Sequence, residues 1–250
     1  MNKKLISIIT PSFNSEEYLE ETYHSIKSQT YTNWEWLITD DGSTDKTIEL
    51  IQNLIDSDDR IKLFENSTNR GPAVARNKSI SNAKGNYMTF IDSDDLWESH
   101  FLEESLSLCD STNGFVFSSY SRVDELTLKP IYKDFIVPKK VSYTDILKTN
   151  SISCLTAFID VDRLGKKMMP LVRYRQDMGL WLQYLKEVKY AYGNKEVLAK
   201  YRIRKVSLSR NKKKLIKPQW YFYRNVSKLN IFQSIYYMTI WTYRGILKYQ

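Results

Sequence analysis

Apolar and polar positions along the first hundred residues follow two alternating patterns. Short β-favouring runs occur at Leu5–Thr10, Trp36–Thr39, Ile61–Phe64 and Tyr87–Ile91. Between them the apolar spacing becomes helical. Asn14 and Glu17 form a capping-box pair ahead of Leu19, Tyr23 and Ile26. Ser43 or Thr44 is placed to cap a helix carrying Ile48, Ile51 and Ile55. Gly71-Pro72 opens a third helix, with proline suited to its first turn. Strands separated by helices predict an α/β fold whose mostly parallel central sheet is flanked by helices.

Beyond residue 100 the pattern loosens. It predicts a helix over Phe101–Cys109, strands at Gly114–Tyr120, Leu155–Ile159 and Val197–Ile203, and a helix starting near Asp177. Residues 121–150 read as loops and short elements. Three segments follow: 1–100, 101–210 and 211–250.

Charge sharpens the last boundary. The net charge of the 250-residue chain is +8. Residues 211–250 contain eight Lys and Arg and no Asp or Glu, so the first 210 residues balance to zero. The same segment holds ten aromatic residues. Ile231, Ile235 and Met238 fall on one helical face, extended by Phe232, Tyr236, Ile240, Tyr243 and Leu247. A basic, aromatic amphipathic helix fits an anionic membrane interface. The alternatives are packing on its own domain or on a second subunit, as in a homodimer. Nucleic acid is a poor partner, because the rest of the chain supplies an acidic crevice.

Other classes are excluded more directly. No run is long and apolar enough to span a bilayer, and no secretory leader is legible. Cys109 and Cys154 fit no metal spacing and read as free thiols, and with only His24 and His100 a His/Cys zinc site is not expected. No G-x-G-x-x-G and no P-loop follows the first strand.

The chemistry gathers at strand ends. Tyr87–Ile91 stops in Asp92-Ser93-Asp94-Asp95, three carboxylates within four residues. Oxygen ligands at a sheet rim suit a hard divalent cation such as Mn²⁺ or Mg²⁺ carrying substrate phosphates. Thr10-Pro11-Ser12-Phe13-Asn14, Asp40-Asp41-Gly42-Ser43 and the run from Asn69 to Asn77 occupy equivalent positions. In a parallel sheet all four clusters face one crevice.

In order and context these clusters resemble the inverting family 2 glycosyltransferases of GT-A fold, the bacterial surface-polysaccharide type. The match covers residues 5–100, with echoes to about 210. The resemblance implies a nucleoside diphosphate sugar donor, with UDP favoured. It also implies a glycan or lipid-linked acceptor, and a cytoplasmic enzyme peripheral to the inner face of the plasma membrane. Phe13 then offers a flat face to the base, while Pro11 and Ser12 shape the backbone at its edge. Asp41 accepts the imide N–H, and Asp40 supports the loop. Asp92 binds ribose, with Ser93 beside it. Asp94 matches the metal-holding carboxylate of the D-x-D motif. Asp95 either assists or caps the next helix. Arg76 addresses the base or the phosphates.

Arg175-Gln176-Asp177-Met178-Gly179-Leu180-Trp181-Leu182 resembles the family's acidic acceptor-side motif, with Gln176 where Glu is commoner. That assigns the general base to Asp177. Trp181, one turn on, is either an acceptor platform or core, and core is preferred. Arg202, Arg204 and Lys205 are candidate phosphate contacts, with Arg202 counted in the donor set. The competing readings are a sugar-phosphate nucleotidyltransferase, which would need a basic, glycine-rich loop that Thr10–Glu16 lacks, and a non-catalytic glycan- or membrane-binding module.

Overall fold

The computed structural model describes residues 4–204 and 215–247. Lys205 and residues 211–214, which entered the expectations above, lie outside them. One mixed ten-stranded sheet runs through the protein with helices on both faces. The first half contributes β1 (Ile6–Ser12), α1 (Leu19–Lys27), β2 (Trp34–Asp40), α2 (Thr47–Ser57), β3 (Ile61–Glu65), α3 (Pro72–Asn82) and β4 (Tyr87–Phe90). Then come β5 (Leu96–Trp97), α4 (Phe101–Asp110), β6 (Phe115–Asp124), β7 (Pro130–Phe135), β8 (Lys140–Val141) and α5 (Tyr143–Lys148). The remainder is β9 (Phe158–Asp160), α6 (Val161–Leu164), α7 (Gln176–Tyr184), β10 (Ala191–Ile203), α8 (Ile216–Tyr221), a π-helical turn at Phe222–Val226, and α9 (Ile231–Leu247).

The spatial order β3-β2-β1-β4-β9-β6-β10-β5 divides the sheet by strand direction. β3, β2, β1 and β4 are parallel, as the alternation predicts. From β9 onward parallel and antiparallel pairs mix, because β9 and β5 run against their neighbours. Period-2 alternation sorts side chains between the two faces. Ile6, Ile8, Trp36, Ile38 and Tyr87 pack with α1, α2 and α4. Ile9, Leu37, Met88 and Phe90 pack with α3, α5 and α7. Stacking of Tyr23 on Trp36, with ring planes within 5°, ties α1 to β2.

Four local expectations are corrected. The Asn14/Glu17 capping box does not form, and α1 begins only at Leu19. The Asn14 side chain instead accepts from Thr44 N at 2.9 Å, and Glu16 accepts from Lys46 N at 2.8 Å. These bonds clip the loop after β1 onto the loop after β2. Ser43 does not cap α2 either, because its hydroxyl is bound to Asp40. The strand expected from Leu155 starts at Phe158, after a 3₁₀ turn at Cys154–Thr156. There the Leu155 carbonyl accepts from Trp97 Nε1 at 2.9 Å rather than joining a ladder. β10 begins six residues earlier than its apolar run, at Ala191, with irregular register against β6 around Asn194 and Val197.

The described part of the C-terminal segment is helical, as expected, and the π turn after α8 belongs to the core. Phe222 and Tyr223 are buried in the cluster containing Trp181 and Tyr184. Tyr223 Oη donates to Leu147 O at 2.6 Å. Tyr237 and Met238 of α9 pack on the same cluster, so Met238 leaves the outer face assigned to it. Phe232, Ile235, Tyr236 and Tyr243 remain exposed, Phe232 at 80%.

Gly179 makes this packing possible. A Cβ there would lie 2.4 Å from Pro170 Cγ and 3.4 Å from Phe222 Cε2. The proline ring cannot swing aside as a flexible chain would. Gly179→Ala is expected to cost about 1–3 kcal/mol of stability through overpacking. Urea denaturation checks this, and an unchanged midpoint would mean that the 170 loop gives way freely.

Candidate functional site

The carboxyl ends of β1, β2 and β4 and the start of α3 do converge. They line one cleft of about 780 Å³ with Pro11, Ser12, Phe13, Asp41, Gly71 and Arg76 among its walls. Asp92, Ser93, Asp94 and Gln176 complete the polar side. This is the sheet edge at which open α/β folds bind ligands.

The two loops at the base-binding end are fixed by Asp40 and Asp41, each in its own way. Asp40 Oδ1 accepts from Gly42 N at 3.1 Å and Ser43 N at 2.8 Å, and Oδ2 accepts from the Ser43 hydroxyl at 2.5 Å. It therefore holds its own turn. Gly42 sits at φ +80, where a Cβ would meet Thr68 and Asn69 backbone at 3.0–3.1 Å, so this turn requires glycine. Asp41 reaches across instead, accepting from Asn66 Nδ2 at 2.8 Å, Arg70 N at 2.9 Å and Gly71 N at 2.6 Å. It lines the cleft while organising the loop into α3. Phe13 is 45% exposed, a large apolar ring turned out beside this wall.

Arg76 and the carboxylates form the charged floor. The Arg76 side chain is 9% exposed, and its Nη2 donates to Asp92 Oδ1 at 2.5 Å. Burial is the largest influence and opposes its charge, but Asp92, Cys154 and Asp177 together outweigh that penalty, and the pKa is held above its ordinary value. Its Nε is buried without a hydrogen-bond partner among the described residues. A guanidinium so placed has a donor to offer an oxyanion.

Asp94 is pushed above the usual carboxylate range by burial and by the charge of Asp92, against the pull of Arg204. Arg204 Nη1 lies 3.3 Å from Asp94 Oδ2. Asp95 is raised further, by burial and by both neighbouring carboxylates. Asp95 caps no helix; its Oδ1 accepts from Arg202 N at 2.8 Å.

A divalent cation fits here only in a particular way. Among the described residues no group of three His, Cys, Asp or Glu side chains stands ready to ligate one. Crowded carboxylates whose charges repel would nonetheless be relieved by a cation, and Asp94 faces the cleft. Mg²⁺ and Mn²⁺ accept such a site, one or two carboxylates with the rest of the shell from phosphate and water.

Arg202 is not brought to the cleft wall. Its side chain is 1% exposed. Its guanidinium donates to Asp94 O at 2.7 Å, to Glu21 at 2.5 Å and to the Glu125 carbonyl. With every arm engaged, it buttresses the Asp94-Asp95 backbone. Trp181 is fully buried between Phe90 and Phe115, which makes it core rather than an acceptor platform.

The start of α7 forms the opposite wall. Arg175 precedes it in the left-handed region, φ 66, unusual for a non-glycine residue. Its Nε donates to Gln219 Oε1 at 2.8 Å, and its guanidinium lies over Trp241. Asp177 stands in the first turn of α7, half-buried, with Oδ2 accepting from Asn150 Nδ2 at 2.9 Å. Gln176 donates from Nε2 to Val172 O at 2.8 Å and Arg173 O at 3.3 Å, while Oε1 faces Arg76. A glutamate there could not donate to those carbonyls. The amide is thus what ties the 172–173 loop to α7.

Two groups of site residues escaped the sequence reading. Asn150 lay in the segment read as loops and short elements. Leu171, Val172 and Arg173 line the cleft from an irregular loop whose sole signal was its position just before Arg175-Gln176-Asp177.

Comparison with known proteins identifies relatives by sequence and by fold. The family model described as glycosyl transferase family 2 matches residues 7–159. A Bacillus subtilis protein, provisionally named a teichuronic acid biosynthesis glycosyltransferase, is 40% identical over 93% of this chain and 92% of its own length. An Escherichia coli UDP-Glc:alpha-D-GlcNAc-diphosphoundecaprenol beta-1,3-glucosyltransferase is 36% identical over 100% of this chain and 96% of its own. Among solved structures, Staphylococcus aureus TarS 1–349 with UDP-GlcNAc superposes at TM-score 0.71 with 17% identity, over 96% of this chain and 72% of that one. A Pyrobaculum calidifontis mannosyltransferase with GDP-Man and Mn²⁺ gives 0.62 with 20% identity, over 87% and 61%. At those identities the structural likeness establishes the fold, the GT-A arrangement of a sheet flanked by helices.

Proposed function

The chain belongs to glycosyltransferase family 2 and is a glycosyltransferase, and from that premise we propose a metal-dependent, inverting transfer from a UDP-linked hexose or N-acetylhexosamine to a lipid-linked glycan in cell-surface polysaccharide synthesis. The observation that carries the reading is the single cleft in which Phe13, Asp41, Arg76, Asp92 and Asp94 face the wall headed by Gln176. The next residue, Asp177, is a carboxylate with one oxygen held by Asn150. The relatives' names supply the chemical class, including a UDP-glucose donor and a diphosphate-linked lipid acceptor for the Escherichia coli protein.

Each residue has a task in that reading. Phe13 stacks on the base, Pro11 sets the strand-end backbone beneath it, and Asp41 presents its remaining lone pairs to the imide edge. Asp92 and Ser93 meet the ribose, and Arg76 the phosphates. Asp94 holds a divalent cation, which when bound neutralises charge on the departing diphosphate. Arg202 acts from behind, fixing the Asp94-Asp95 turn. Asp177 removes the proton from the acceptor hydroxyl as its oxygen attacks the anomeric carbon from the face opposite the leaving group. A thermal-shift screen of nucleotide sugars with Mn²⁺ or Mg²⁺ tests the donor assignment. UDP-sugars are expected to stabilise the protein only with metal present; stabilisation by GDP-sugars alone would move the base preference.

The enzyme works at the inner face of the membrane. Among the described residues no helix is long and apolar enough to cross one. The exposed stripe Phe232, Ile235, Tyr236 and Tyr243 gives α9 an interfacial face, and the eight uncompensated cations of 211–250 supply attraction to anionic lipid. The full chain is expected to sediment with anionic vesicles, weakly with neutral ones, and to be partly released by salt. Replacing Phe232 and Tyr236 with Ser should reduce the salt-resistant fraction. Indifference to anionic vesicles at low salt would reject the membrane assignment and leave packing on the domain or on a second subunit.

A further inference from the structure

The donor cleft does not end at α7. Leu171, Val172 and Arg173, which line it, also form one wall of a second cavity of about 670 Å³. The opposite wall comes from α8 and the π turn, chiefly Lys217, Trp220 and Tyr221. This groove combines exposed apolar surface with unspent positive charge. Leu171 is 70% exposed and Tyr221 54%. Arg173 and Lys217 have no ion-pair partner among the described residues, and the segment carrying Lys217 contains no carboxylate at all. The walls are fixed in place. Arg175 Nε donates to Gln219 Oε1 at 2.8 Å, which joins α8 to the residue that precedes α7. Phe222 and Tyr223, just beyond, are buried.

A rigid apolar groove with cations along it, opening into a sugar-transfer cleft, has the chemistry of an anionic head with a long hydrocarbon tail. We infer that this groove receives the diphosphate and the first isoprenoid units of the lipid that carries the acceptor glycan, an assignment that rests on the lipid-linked reading above. Lys217 and Arg173 face the diphosphate, and Leu171, Trp220 and Tyr221 the tail. The glycan then extends from the groove past the 171–173 loop toward Asp177. Gln176, by bonding the carbonyls of 172 and 173, holds the loop that both substrates share.

The test is photolabelling of the full chain in detergent micelles with a farnesyl diphosphate analogue carrying a benzophenone. Label is expected on peptides spanning 171–174 and 217–225. It should be displaced by farnesyl diphosphate, but not by farnesol or by phosphatidylglycerol. Lys217→Gln and Tyr221→Ser, neither of which lines the donor cleft, should each lower labelling about fivefold or more and raise KM for a prenyl-diphosphate-linked acceptor, with UDP affinity unchanged as the check on folding. Label confined to other segments, or displaced equally by phosphatidylglycerol, overturns the assignment. If the lipid-linked acceptor is used and neither variant changes its KM, the groove is wrong while the functional reading stands. If the enzyme glycosylates only water-soluble acceptors and no label is incorporated, the lipid-linked reading itself fails.

Discussion

Asp94→Asn should lose transfer activity by about 100- to 1,000-fold and bind UDP with nearly the same affinity whether or not Mn²⁺ is present. The change keeps the side chain's size and its contact with Arg204 while removing the charge that faces the cleft. Burial and Asp92 already disfavour the Asp94 anion, so its ionised form is worth most when a cation lies against it. Calorimetric titration of UDP with and without Mn²⁺ separates this role from a packing role. Retained metal-dependent affinity in the variant would remove Asp94 from the ligand set and point to Asp92.

Asp177→Asn should behave differently. It keeps the shape of the α7 start and removes the proton acceptor. Donor affinity should persist, with turnover down about 100-fold or more. The split between an intact donor Kd and a collapsed kcat distinguishes a base from a residue that merely shapes the helix end. Comparable turnover with the lipid-linked acceptor would assign proton removal elsewhere.

The two variants divide the site along the line on which the sequence was and was not legible. The donor half was readable because its residues lie at the ends of short buried strands, where hydrophobic runs stop abruptly in polar clusters. Ile6–Ser12, Trp34–Asp40 and Tyr87–Phe90 each deliver such a cluster to the same edge. Loop detail was less accessible. Asn14 and Ser43 carry good capping chemistry, yet both are drawn into bonds between loops, because holding two adjacent loops satisfies the same donors. Arg202 shows the same ambiguity on the charged side. A basic residue near a predicted phosphate site reads as a contact, whereas here carbonyls and Glu21 consume its donors.

On the opposite wall the sequence marked only the start of α7, at Gln176 and Asp177. The other residues on that side come from irregular segments, Asn150 and Leu171–Arg173, which no periodicity marks. The C-terminal segment was separable by charge and aromatic content, but composition alone does not tell which aromatics turn inward. Phe222 and Tyr223 enter the core while Phe232 and Tyr236 stay outside. Residues within one basic stretch therefore both complete the fold and present a surface.

The stereochemistry of the product decides between inversion and retention. The full chain, Mn²⁺, an α-linked UDP-sugar and a prenyl-diphosphate-linked glycan acceptor should yield a lipid-linked glycan one sugar longer, whose new linkage is read by the anomeric proton coupling in NMR. The proposed role of Asp177 predicts a β-linkage, with the acceptor oxygen arriving at the face opposite the diphosphate. An α-linkage would mean retention, a different set of catalytic groups, and an incorrect reading of Asp177.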